Sequence, residues 1–239
     1  MVNGKEKLIV AIDTDDYEKA VNLIDSLEDS VDIFKVGLEN YIASRGKTVD
    51  YLKSKGKKIF LDLKFHDIPN TMKSAVKAAI REGVWLMTIH VSDMEGMKQC
   101  ANIAKEESER LGIEKPLIVG VTVLTSLSDN DLKDIGCDMN TQDLAIKRAK
   151  LAKEAGLDGV VCSAREVSKI VEACGKDFVT VCPGIRPASA EVGDQKRVVT
   201  PSEAILNGAS VLVVGRPITQ ASVPSESANK IVKEIESVL

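Results

Sequence analysis

Residues 57–71, KKIFLDLKFHDIPNT, alternate apolar and polar side chains with a period of two. Ile59, Leu61, Leu63 and Phe65 fall on one face of an extended strand, and Phe60, Asp62 and Lys64 on the other. One face is wholly apolar, while the other ends in two opposite charges. His66, Asp67 and a turn-forming Ile68-Pro69 follow, and then an Asn70-Thr71 pair able to open a helix. A strand that carries Asp and Lys inward at its C-terminal end must offset their desolvation with partners or use them in a function. Function is the reading adopted for this stretch.

The same two periods divide the rest of the chain. LIVAID (8–13) reads as a first strand, and Ala20, Leu23, Ile24 and Leu27 lie at helical spacing within 15–27. IFKVGLE (33–39) is a second strand, with a helix to about residue 55 that stops before Gly56. The stretch above is the third strand. Its helix carries Met72, Val76, Ala79 and Ile80 on one side and ends at Gly83. WLMTIHV (85–91) is a fourth strand, followed by a helix over 93–111 that ends at Gly112. LIVGVTVLT (117–125) is a fifth, after which a short helical piece over 129–135 precedes a longer helix over 141–155.

GVVCS (159–163) is a sixth strand, with a helix over 165–173 stopped by Gly175, and FVTVCPGI (178–185) is a seventh. The irregular run 186–199 is longer than most connections from a strand to a helix. Thr200-Pro201-Ser202-Glu203 has the form of a capping box with Pro in the first turn. VLVVG (211–215) is the eighth strand, and a closing helix starts near residue 225.

Eight strands separated by helices predict an α/β fold of the (β/α)8 TIM barrel type, with residues 1–239 as a single domain. A doubly wound open sheet is the alternative. Eight regular units leave it no obvious edge strand, and no Gly-rich fingerprint follows the first strand. Composition agrees with the barrel. Hydrophobic residues make up 44% of the chain but aromatics only 3%, so the core is built from Val, Ile, Leu and Ala, as suits a parallel sheet covered by helices.

A net charge of -4 with no dense basic stripe argues against nucleic acid as a partner. The apolar run in MVNGKEKLIVAID is too short for a signal peptide, and no stretch of ~18 apolar residues offers a membrane span. The five cysteines (Cys100, Cys137, Cys162, Cys174 and Cys182) are odd in number and lack C-x-x-C spacing. They read as reduced, mostly buried thiols of a cytoplasmic protein.

In such barrels chemistry sits at the C-terminal ends of the strands. The period-2 phase puts Ile9, Ala11 and Asp13 on one face of the first strand, and sets Lys35 opposite Phe34 and Val36 on the second. Each strand's apolar set belongs against the helices, so Asp13, Lys35, Asp62 and Lys64 should point into the barrel mouth. A single Asp-Lys pair there could be an ordinary salt bridge. Four charges of alternating sign on three consecutive strands are harder to explain that way, because apolar packing is usually at least as stable. His90 shares the inward phase of Leu86 and Thr88; alone it reads as a hydrogen-bonded structural histidine. A phosphate is expected at the ends of strands seven and eight. Gly215 and Arg216 offer a bare backbone N–H and a guanidinium there, and Arg186 and Gln195 lie on the long run, which reads as a lid.

Asp62-Leu63-Lys64-Phe65-His66-Asp67-Ile68-Pro69-Asn70-Thr71 resembles the signature of the orotidine 5'-phosphate decarboxylases. The similarity extends along the whole chain. It takes in Asp13, Phe34-Lys35-Val36-Gly37, Leu124-Thr125-Ser126, Pro183-Gly184-Ile185-Arg186, Asp194-Gln195-Lys196-Arg197 and Val214-Gly215-Arg216-Pro217. One departure is His90-Val91-Ser92-Asp93-Met94-Glu95, where many bacterial relatives have small residues and glycines after the histidine.

The resemblance implies decarboxylation of orotidine 5'-monophosphate without a cofactor or metal, in a homodimer whose active sites are shared between subunits. It gives Lys64 the task of stabilising and protonating a carbanion at C6, with flanking carboxylates that keep it charged. By the same resemblance Asp62 lies near the departing carboxylate. Lys35 links the network to the ribose, and Asp13 binds ribose hydroxyls. Asp67 and Thr71 reach into the neighbouring subunit's site. Thr125 and Ser126 are placed for the pyrimidine edge, where hydroxyl and backbone groups match its amide pattern.

Two other readings remain open at this level. A sister barrel acting on sugar phosphates shares the D-x-K-x-x-D strand and is expected to bind Mg²⁺ through an extra carboxylate, for which Glu39 is a conceivable ligand. A barrel that only binds a phosphorylated metabolite is the other, though a pure binder has no use for a costly row of charges.

Overall fold

A computed structural model describes residues 3–187 and 199–239. After a single 3-10 turn at Gly4–Lys7, strand and helix alternate. In order they are β1 (Leu8–Ile12), α1 (Tyr17–Ser26), β2 (Ile33–Gly37), α2 (Leu38–Ser44), α3 (Lys47–Ser54), β3 (Lys58–Phe65) and α4 (Pro69–Arg81). Then come β4 (Leu86–His90), α5 (Met94–Leu111), β5 (Leu117–Val121), α6 (Asp129–Asp134), α7 (Thr141–Glu154), β6 (Gly159–Val161) and α8 (Val167–Cys174). The chain closes with β7 (Val179–Cys182), α9 (Pro201–Leu206), β8 (Val211–Val214), α10 (Arg216–Thr219) and α11 (Pro224–Glu236). The strands pair in parallel in sequence order, and β8 returns to β1, so the sheet is a closed (β/α)8 barrel.

Alternation along each strand sorts the side chains into two cores. Ile9, Ala11, Ile33, Phe60, Leu86, Val119, Val181, Val211 and Val213 fill the barrel interior. Leu8, Val10, Ile12, Phe34, Val36, Ile59 and Leu61 face outward, where they pack against helix residues such as Ala20, Ile24, Leu52, Met72, Val76 and Ile80. Burying each of these larger aliphatic side chains contributes roughly 1.5–3 kcal/mol. The inward set stops at charged residues near the C-terminal rim.

Helix starts follow local chemistry. Asp16 accepts hydrogen bonds from the Glu18 and Lys19 amides at 3.0 and 3.2 Å, and Thr200 with Glu203 forms the capping box its spacing predicts. Pro69 is itself the first residue of α4, where its missing N–H costs nothing, so this helix begins ahead of Asn70-Thr71. The helix expected from the second strand to residue 55 is in fact two. Arg45 (φ 54) and Gly46 (φ 79) both adopt the left-handed conformation and break it between Ser44 and Lys47. The fifth, sixth and seventh strands, Leu117–Val121, Gly159–Val161 and Val179–Cys182, are shorter than the apolar runs that predict them.

Candidate active site

Asp13, Lys35, Asp62 and Lys64 meet at the C-terminal rim of the barrel. Lys35 Nζ lies 3.0 Å from Asp13 Oδ1 and 3.7 Å from Asp62 Oδ2. Lys64 Nζ donates to both oxygens of Asp62 at 2.9 Å each. The row therefore runs Asp13, Lys35, Asp62, Lys64, with every charge beside one of opposite sign. Lys35 and Asp62 are each only 9% exposed, so the centre of the row is desolvated while Asp13 stays open to solvent. Removing one partner of such a pair typically costs about 3–5 kcal/mol.

Backbone detail sharpens this geometry. Lys64 has φ 51, in the left-handed region that side chains other than glycine seldom enter. It does so where β3 bulges against β4: Leu61 pairs with Met87, yet the next pair is Phe65 with Ile89. Gly37 takes the inward position after Lys35. A Cβ there would stand 2.8 Å from Lys35 Nζ and 3.4 Å from Asp13 Oδ1, so only glycine leaves the ammonium its place. Asn40 of α2, almost fully buried, donates to the Thr14 carbonyl at 2.9 Å and so tethers the segment just after Asp13.

Two adjoining cavities open beside the charge row and share Lys35, Pro183 and Val213. The first is walled by Phe60, Val121, Val123, Leu124, Val161 and Val181, with Asp62, Lys64 and Thr125 as its other polar groups. It suits a flat ring that presents a few polar edges. The second is polar, lined by Asp13, Gly184, Arg186, Gly215 and Arg216. Arg186 is buried and donates from Nη1 to the Ile185 carbonyl at 2.9 Å, and Arg216 opens α10 immediately after Gly215. An apolar slot with a cationic end is the shape complement of a base carried on a phosphorylated sugar.

A third cavity, on the outer side of β3, is lined by Lys64, His66, Asp67, Thr71 and Met72 among others. Asp67 and Thr71 are exposed, and Asp67 Oδ1 accepts the Ile68 amide at 2.7 Å. Of the residues singled out from the sequence, Ser126 is exposed on the turn after Leu124 and does not line these cavities. Gln195 lies outside the described residues. Glu39 is exposed in the first turn of α2 and also lies outside the cavity linings.

Sequence reasoning missed Thr88, Asn40 and the pairing of the chain's two histidines. His66 and His90 bring their rings to 5.3 Å. Burial, and then the positive charges of His66, Lys64 and Arg148, hold the His90 imidazole below its ordinary range, against an opposing pull from Asp62.

The chain matches the family model for the "Orotidine 5'-phosphate decarboxylase / HUMPS family" over residues 6–231. An orotidine 5'-phosphate decarboxylase of Nostoc sp. is 48% identical over 238 residues, which is 99% of this chain and 100% of the relative. One from Moorella thermoacetica is 46% identical, covering 99% and 95% of the two chains. The crystal structure of orotidine 5'-phosphate decarboxylase from Lactobacillus acidophilus superposes with a TM-score of 0.86 at 36% identity, over 96% of this chain and 99% of that one. Matched by the family model over most of its length, and nearly half identical to relatives across the whole of theirs, this chain belongs to the orotidine 5'-phosphate decarboxylase / HUMPS family.

Proposed function

We propose that this protein converts orotidine 5'-monophosphate to uridine 5'-monophosphate and CO2 in pyrimidine biosynthesis, with the row Asp13, Lys35, Asp62, Lys64 as its catalytic centre. The observation that carries the proposal is the Lys64–Asp62 pair, held at 2.9 Å in a cavity whose other walls, Lys35 and Thr125 apart, are apolar side chains. Breaking the bond between C6 and the carboxylate leaves an electron pair in the plane of the pyrimidine, out of conjugation with its carbonyls. A fixed ammonium beside C6 stabilises that pair as it forms and then donates a proton to it, and solvent reprotonates the lysine. No electron sink is needed for such a route, so the proposal includes no cofactor and no metal.

The remaining residues take roles that fit their places. Asp62, fixed on both oxygens, faces the departing carboxylate, and loss of CO2 relieves the juxtaposition. Asp13 is open enough to meet ribose hydroxyls, with Lys35 joining it to Asp62. Gly215, Arg216 and Arg186 form the phosphate end, to which the family resemblance adds Gln195 as a further contact. Thr125, with Ser126 beside it, meets the pyrimidine edge. Asp67 and Thr71 serve a neighbouring subunit across a two-fold axis. The outer cavity they line and the exposed Leu38, Ile42 and Ile68 favour such a contact. A cytoplasmic homodimer of single-domain barrels is the assembly proposed. No helix among the described residues is long and apolar enough to cross a membrane.

The test is loss of orotidine 5'-monophosphate absorbance with purified protein treated with EDTA. Turnover at an undiminished rate is expected. Turnover that requires added Mg²⁺ would instead favour the sister chemistry on sugar phosphates, and binding without turnover would favour a sensor.

A further inference from the structure

The bulge in β3 places three of its residues, Asp62, Leu63 and Lys64, opposite a single residue of β4, Thr88. In a regular parallel ladder each amide finds a carbonyl on the neighbouring strand. The left-handed turn at Lys64 takes its amide out of that pattern. It donates instead to Thr88 Oγ1 at 2.9 Å. The Thr88 hydroxyl also lies 3.0 Å from Asp62 Oδ1. An ionised carboxylate only accepts, so the direction is forced: Thr88 accepts from the Lys64 backbone and donates its one proton to Asp62. Thr88 is fully buried, and water does not compete for either bond.

We infer that Thr88 is a positioning residue for the decarboxylation proposed above. Its hydroxyl replaces the acceptor that the bulge denies to Lys64, and it fixes the rotation of the Asp62 carboxylate so that both oxygens face the Lys64 ammonium. One side chain thereby sets the backbone of the proton donor and the orientation of its counter-charge. The hydroxyl carries this role, and the methyl group only fills the barrel interior between Leu86 and His90. The inference rests on the proposed reaction, because the effect is read at C6 chemistry.

The experiment compares Thr88→Val, which keeps the shape and removes the hydroxyl, with Thr88→Ser, which keeps the hydroxyl and removes the methyl. Thr88→Ala covers the case in which the valine variant fails to fold. Turnover of orotidine 5'-monophosphate and calorimetric binding of uridine 5'-monophosphate are measured for each. Misplacing a reacting group by about 1 Å costs on the order of 10²-fold in rate. Thr88→Val is therefore expected to lose about 10²-fold in kcat, with KM and product affinity within about threefold of wild type. Thr88→Ser is expected to keep kcat within about threefold.

A valine variant as fast as wild type would overturn the inference, and so would valine and serine variants slowed equally, which would assign the effect to packing. Parallel loss of turnover and product binding would mark a merely structural role. Failure of both Val and Ala to fold while Ser folds would do the same. Absence of turnover in the wild type would strike the reaction itself, which keeps the two failures apart.

Discussion

Lys64 Nζ stands 2.9 Å from each carboxylate oxygen of Asp62, two positions earlier on the same strand. Side chains at i and i+2 share a face of a strand but do not ordinarily converge on so symmetric a contact. The left-handed backbone at Lys64 accompanies this convergence, at a conformational cost of order 1–3 kcal/mol.

Lys64→Ala and Lys64→Gly should separate chemistry from strain. Both lack the ammonium, so both should lose at least about 10²-fold in kcat, since general acid catalysis alone is worth roughly 10²–10⁴. More than a tenth of wild-type turnover in either would remove Lys64 from its role. The two should differ in stability, because glycine adopts φ 51 freely and alanine does not. The glycine variant should unfold about 2–4 °C above the alanine variant, for roughly 1 kcal/mol in a chain of this size. Equal melting temperatures would mean that the backbone there is unstrained.

Gly37→Ala should damage the site with little effect on the fold. The new Cβ would meet Lys35 Nζ at 2.8 Å, and this atom ends a flexible side chain that can move aside. Its displacement breaks the link from Asp13 to Asp62. The expected result is a fall in kcat/KM of on the order of tenfold or more, with a smaller drop in melting temperature than deletion of the Lys35 charge would cause, because the ammonium is shifted and not removed. An alanine variant with wild-type kcat/KM would show that Lys35 tolerates displacement.

Period-2 reading was enough to find the charge row, because inward polar residues at strand ends stand out against an aliphatic alternation. It placed Asp13, Lys35, Asp62 and Lys64 on the correct face without any knowledge of register. It could not find the left-handed Lys64, since φ at one residue leaves no trace in side-chain periodicity. Thr88 was passed over because an inward threonine in mid-strand looks like ordinary core until its partners on β3 are known. The break at Arg45-Gly46 did carry a signal, a glycine inside a helical run, but the spacing on either side masked it. His66 lies just past the end of β3 and His90 closes β4, so their approach follows from strand pairing that side-chain periodicity does not reveal.

A mixing experiment tests the shared site. If Asp67 of one subunit completes the mouth that holds Lys64 of the other, Lys64→Ala and Asp67→Ala homodimers should each be nearly inactive. Refolded together in equal amounts, about half of the dimers are mixed, and each of these has one mouth with neither lesion. Activity should recover to roughly one quarter of wild type if pairing is random and the sites act independently. No recovery would mean that Asp67 serves its own chain.

Glu107 offers a test of stability away from the site. It is buried between α4 and α5 and accepts from Arg81 Nε at 2.7 Å and from Arg110 Nε and Nη2 at 2.8 and 2.7 Å. The Arg110 hydrogen bonds, with help from Arg81 and against the cost of burial, lower its pKa from 4.5 to about 2. Because the folded value is depressed, this contribution is fully present above about pH 4.5 and fades as pH falls toward 2. Glu107→Gln should therefore lower the melting temperature at pH 7, and the gap from wild type should narrow by pH 3. A gap of constant size across that range would exclude the charge as its cause.

Barrel closure also has a consequence for how the protein is made. Asp13 follows β1, the first strand, while Gly215 and Arg216 follow β8, the last, and β1 pairs with β8. The two walls of the proposed binding site therefore become neighbours only once β8 has been made and has paired with β1. A nascent chain that lacks β8 exposes the unpaired edges of β1 and β7 and holds half of the proposed site, so competence to bind the proposed nucleotide should arrive abruptly with β8 rather than grow during synthesis.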